Sequence, residues 1–97
     1  MRHYFRSHLK PDQVLVIADT FFPAILENAT ASAHRSRSFA GPLGALKLSV
    51  NMEGGHYTFV QIDTDQTGES RLDRNAKKFF VELHRAEDPA YTLTASY

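Results

Sequence analysis

The chain has no cysteine. That one absence removes disulfides, zinc–thiolate sites, iron–sulfur clusters and thiol catalysis, and with them any secreted disulfide scaffold. It has no net charge either, since eleven basic residues balance eleven acidic ones. Bulk attraction to nucleic acid or to an anionic membrane therefore has little to act through. No apolar run approaches the length that spans a bilayer. The opening residues, MRHYFRSHLKPD, lack the apolar stretch of a signal peptide, so the expected location is cytoplasmic. Internal repeats, linkers and low-complexity segments are missing too, and residues 1–97 read as a single domain.

What is present suits a folded chain. Hydrophobic residues at 42% and charged ones at 23% are globular proportions, which argues against wholesale disorder. A chain of 97 residues buries roughly 60–70% of its unfolded surface, enough for one core with little to spare. The charge is unevenly placed: residues 1–47 sum to +3 and the remainder to −3. Opposite fields of that kind steer copies of a chain together, unless the two halves interleave on folding.

Gly41 to Asp65, GPLGALKLSVNMEGGHYTFVQIDTD, is the organising stretch. Leu46, Leu48, Val50 and Met52 alternate with Ala45, Lys47, Ser49 and Asn51, the period of a half-buried antiparallel strand. Gly54-Gly55 can supply the positive φ angles of a tight hairpin turn. The return strand, His56 to Thr64, is apolar on both faces, with Tyr57 and Phe59 on one and Val60 and Ile62 on the other. Register decides which pair is buried. A two-residue turn sets Tyr57 and Phe59 opposite Met52 and Val50, whereas a three-residue loop sets Val60 and Ile62 beside Val50 and Leu48.

Around the hairpin, His3 to Ser7 alternates as a short strand. Pro11 and Asp12 open a helix whose stripe is Val14, Ile17, Ala18, Phe21, Phe22 and Ile25, ending or kinking where Pro23 removes a backbone donor. Asn28 to His34 reads as a connector and Arg35 to Ala40 as a weak strand. Ser70 and Asp73 form a capping-box pattern before a second helix bearing Leu72, Ala76, Phe79, Phe80 and Leu83. Asp88-Pro89 stops that helix, and Tyr91 to Thr94 alternates as a final strand or docking tail.

The chemistry-bearing groups are sparse. Asp63-x-Asp65-x-Thr67-Gly68 resembles the start of an EF-hand calcium loop, yet its later ligand positions fall on Arg71 and Arg74. Asp63 and Asp65 are thus weak metal candidates, and no cofactor is expected. The five histidines show no paired ligand spacing. Ser70 is better used as a helix cap than as a nucleophile, and no phosphate-cradling loop is present. The α-β-β-β-α order and the basic stripe Arg71, Arg74, Lys78 and Arg85 resemble the double-stranded RNA-binding domain. Both of that family's contact sites depart here: Gly41-Pro42 is followed by Leu43-Gly44, and the helix opens with Ser70-Arg71-Leu72-Asp73. Element order is also similar to helix-grip ligand-binding domains, which lay a C-terminal helix across a curved sheet.

The expectation is therefore an α+β two-layer sandwich, an antiparallel sheet of three or four strands with two helices on one face, in the order β-α-β-β-β-α(-β). The expected function is a non-catalytic interaction protein that associates with itself or a larger protein assembly through the open sheet face or an edge. Its interface candidates are Tyr57, Phe59, Val60, Ile62, Tyr4, Tyr91 and Leu93. The alternative is a small-ligand-binding protein with an apolar pocket lined by Phe21, Phe22, Phe79 and Phe80.

Overall fold

A computed structural model describes residues 1–26, 28–67 and 70–87, with the backbone alone described at 28–31. The chain runs through strand β1 (Arg2–Ser7), helix α1 (Pro11–Phe21), a single 3-10 turn (Phe22–Ala24), strands β2 (Asn28–Ala33), β3 (Ser36–Gly41), β4 (Gly44–Glu53) and β5 (Tyr57–Thr64), and helix α2 (Arg71–Glu87). The strands form one antiparallel sheet in the order β1-β5-β4-β3-β2. Both helices pack on the same face, α1 against β3 and β4, and α2 against β1 and β5. The α+β class is as expected, but the sheet has five strands.

The additional strand is β2, in the segment read as a connector. Its sequence, NATASA, alternates alanine with polar residues, but alanine is small and disfavoured in strands, so the alternation gives little strand signal. It forms an edge by backbone pairing with β3, and its register shifts at a bulge between Ala29 and Ala31. The proposed final strand at Tyr91–Thr94 lies outside the described residues.

The hairpin takes the three-residue loop. Glu53 pairs with Tyr57, Val50 with Val60 and Leu48 with Ile62. Gly54 and Gly55 both have positive φ, 63° and 74°, while His56 joins them in the loop and its N–H donates to the Glu53 carbonyl at 3.3 Å. That register puts β-branched Val60 and Ile62 on the helix side, where both are fully buried beside Leu48 and Val50. Each such side chain contributes roughly 1.5–3 kcal/mol by leaving water. Tyr57 and Phe59 consequently face away from the core.

Both helices begin, and α1 ends, for the expected reasons; the expected stop of α2 at Asp88-Pro89 lies outside the described residues. Pro11 takes the first position of α1, and the Gln13 side chain accepts the Lys10 N–H at 2.9 Å. Pro23 has no N–H to continue the ladder, so α1 gives way at Phe22 to the 3-10 turn. Ser70 caps α2: its hydroxyl accepts the Asp73 N–H at 3.1 Å. Between the layers, Val14, Ala18, Phe22, Phe39, Leu46, Phe79 and Leu83 belong to one continuous core.

Candidate functional site

Because side chains alternate across a strand, the face of the sheet away from the helices is determined by the register. β1 contributes Arg2, Tyr4 and Arg6, which lie opposite Asp63, Gln61 and Phe59 of β5. β4 adds Lys47, Ser49, Asn51 and Glu53 beside them. No element among the described residues covers this face. Tyr4 is 53% exposed and Tyr57 40%. The Tyr4 and Phe59 rings meet at 5.2 Å between centroids, and the Arg6 guanidinium stands 5.5 Å from the centre of Phe59. His8 lies 5.0 Å from the Tyr57 ring.

Charge surrounds these aromatics. Arg2 Nε donates to Asp63 Oδ1 at 2.7 Å, Gln61 donates to the other Asp63 oxygen at 2.8 Å, and Arg6 Nε donates to Glu53 at 2.7 Å. Partial burial pushes the Asp63 carboxyl up, but the hydrogen bonds from Arg2 and Gln61 outweigh it and hold it below its usual range. Exposed pairs of this kind contribute about 0–1 kcal/mol each to stability. Their effect is to hold Arg2 and Arg6 extended across the sheet, with the aromatic rings between them. Aromatic residues and arginine framed by polar groups are the composition of protein interfaces.

Four of the sequence-derived interface candidates are described on β5, and the sheet divides them. Tyr57 and Phe59 lie on the open face with Tyr4. Val60 and Ile62 do not: they are wholly buried beneath the helices and leave the candidate surface. Tyr91 and Leu93 fall outside the described residues. The candidate metal ligands are also separated by their partners. Asp63 is bonded to Arg2 and Gln61, whereas Asp65 Oδ1 accepts from the Ala45 N–H at 3.1 Å and from Gln66 at 2.8 Å.

The phenylalanines proposed to line a pocket touch one another instead. Phe22 and Phe79 are fully buried with centroids 4.9 Å apart, and Phe21 approaches them at 5.1 and 5.6 Å. Phe80 stacks on Phe5 at 5.2 Å. Helix α2 packs over β1 and β5, and these rings occupy the space beneath the helices. Phe21 is the exception in direction, since one side of it opens to the surface between α1 and α2.

One buried polar cluster was not foreseen. Asp73 has no exposed surface, and its carboxylate accepts from His3 Nε2 at 2.7 Å, Thr64 Oγ1 at 2.9 Å and Ser70 Oγ at 2.7 Å. Burial pushes this carboxyl up, yet the three hydrogen bonds overcome that and lower it to about 2. Serine, histidine and aspartate together suggest a nucleophile triad, but the order is wrong for one. The carboxylate stands between the other two, so His3 has no path to the Ser70 proton. The cluster joins the start of α2 to β1 and β5. The capping-box pattern announced Ser70 and Asp73, whereas His3 and Thr64 arrive from strands distant in sequence and carry no local signal.

Comparison with protein-family models, curated proteins and solved structures returns no match to this chain. No helix among the described residues is long and apolar enough to cross a membrane.

Proposed function

We propose that this protein is a non-catalytic interaction module that associates with a second copy of itself through the open sheet face. The observation carrying this reading is the Tyr4–Phe59–Arg6 cluster on β1 and β5, toward one edge of a face that no described element covers. The face also carries charges of both signs. Arg2 and Arg6 lie along β1, while Asp63 and Glu53 lie on the neighbouring strands. A symmetric dimer would bring this aromatic patch of mixed charge against its own copy, the isologous arrangement. Zero formal net charge means no long-range repulsion opposes the encounter.

Sedimentation equilibrium between about 1 and 200 µM tests the proposal, with Phe59→Glu as the control. The expected result is a dimer whose dissociation constant is micromolar, and a monomeric Phe59→Glu variant with unchanged circular dichroism. A parent protein that remains monomeric throughout, or a variant that dimerises equally well, overturns the reading.

A further inference from the structure

On the opposite side of the molecule, α1 and α2 leave a groove between them. Val16, Ile17, Thr20 and Phe21 form its α1 wall, at the spacing of successive helical turns; Lys78, Val81, Glu82 and Arg85 form the α2 wall. Two open depressions of about 260 and 270 Å³ share Phe21 and Glu82, so one continues into the next. Each is smaller than the roughly 300–1,000 Å³ of drug-sized ligand sites. Their size and sequence suit side-chain anchors on consecutive turns of a docked helix.

The groove is apolar in a way that packing does not explain. Val16 is 64% exposed and Val81 46%, although the first lines its depression with half-buried Ile17 and Phe21 and the second with Phe21. A single exposed valine is ordinary, but two flanking one apolar floor form a continuous strip. The charge on the α2 side is mainly basic. Arg74, Lys78 and Arg85 line that side, and Glu82, bonded to Arg85 at 3.3 Å, is the acid among the groove residues. Beyond Lys78 the depression runs on toward Arg71 and Arg74.

We infer that this groove is a second docking site, and that its occupant is an acidic amphipathic helix of a partner protein. The apolar strip receives anchors at i, i+3 or i+4, and i+7, and the basic wall pairs with carboxylates flanking them. Shape favours a helix over a bilayer, because the apolar side chains line a hollow where a flat membrane needs a protruding ridge. A second copy is a poor occupant, since α2 is basic and the apolar stripe of α1 is already buried.

The probe is a fluorescein-labelled synthetic helix of about 16 residues, with leucines at those anchor positions and glutamates elsewhere. Controls are a lysine-for-glutamate version, a scrambled glutamate version and phosphatidylglycerol vesicles. Fluorescence anisotropy should give a dissociation constant of about 10–100 µM at low salt, weakening several-fold as salt is raised. Amide shifts should fall on Val16, Phe21 and Val81. Lys78→Glu should weaken binding by about tenfold or more, and Val81→Asp should remove it with helicity retained. Phe59→Glu should bind normally, which separates this proposal from self-association through the sheet. Equal binding of the lysine or scrambled peptide, shifts located elsewhere, or binding to vesicles without binding to the peptide overturns it.

Discussion

Replacing Asp73 with asparagine should destabilise the fold by an amount that depends on pH. The carboxylate has no exposed surface and accepts hydrogen bonds from His3, Ser70 and Thr64, while the Ser70 N–H approaches it at 3.4 Å. Asparagine keeps the shape but removes the charge, and turns its amide hydrogens toward donors. A carboxyl lowered from 3.8 to about 2 is worth at most roughly 2.5 kcal/mol. Asp73 lies close beneath the surface of a small domain, and solvent screening reduces that to about 1–2 kcal/mol. The sign follows from the depressed value: the stabilisation is complete well above 3.8 and is lost as pH falls toward 2. Urea unfolding at pH 7 should show the full difference between parent and Asp73→Asn, shrinking by about half at pH 3. A difference that stays constant from pH 7 to pH 3 would refute the claim that an ionised Asp73 joins α2 to the sheet.

Other substitutions test the remaining parts of the structure. Ile62→Ala should cost about 2–5 kcal/mol in urea unfolding, and Phe59→Ala about 1 kcal/mol, because register buries the first fully and leaves the second half-buried on the open face; the reverse order would indicate the two-residue turn. Gly54→Ala should cost about 1–2 kcal/mol through its positive φ alone, since no atom lies within 4 Å of the new methyl. Gly44→Ala should cost more by thermal melting, because φ is 126° and the added carbon would sit 2.5 Å from Asp65 Oδ1; equal costs at the two glycines would contradict the packing described around Asp65. Ser70→Ala should lose about 0.5–2 kcal/mol as a missing cap, and its effect should be non-additive with Asp73→Asn in a double-mutant cycle.

Much of the fold was legible because its strongest elements obey local rules. The alternation of Leu46, Leu48 and Val50 marked β4, the Ser70–Asp73 spacing marked the start of α2, and Pro23 marked the end of α1. β2 was not legible, since its alternation is of alanine with polar residues, too weak a pattern to stand out, and the strand is made by pairing with its neighbour's backbone. The hairpin register was legible only as a choice between two. Burial of Val60 and Ile62 decides it, and burial depends on helices far away in sequence. The candidate surface was half visible for the same reason. Tyr4, Tyr57 and Phe59 stood out as aromatic, but Arg2 and Arg6 gained significance only once β1 paired with β5. The groove between the helices was hidden altogether, because Val16 and Val81 read as ordinary helix residues until α1 and α2 are set side by side.

The central claim is that copies of this chain meet on the sheet face around Phe59. A dilution series of ¹⁵N–¹H correlation spectra tests it most directly, because it reports both whether association occurs and where. The amides of Tyr4, Arg6, Phe59 and Gln61 should shift together as the protein is diluted, while those of Val16 and Val81 stay in place. Concentration-dependent shifts that cluster on the helices, or spectra that do not change with concentration, would contradict the account.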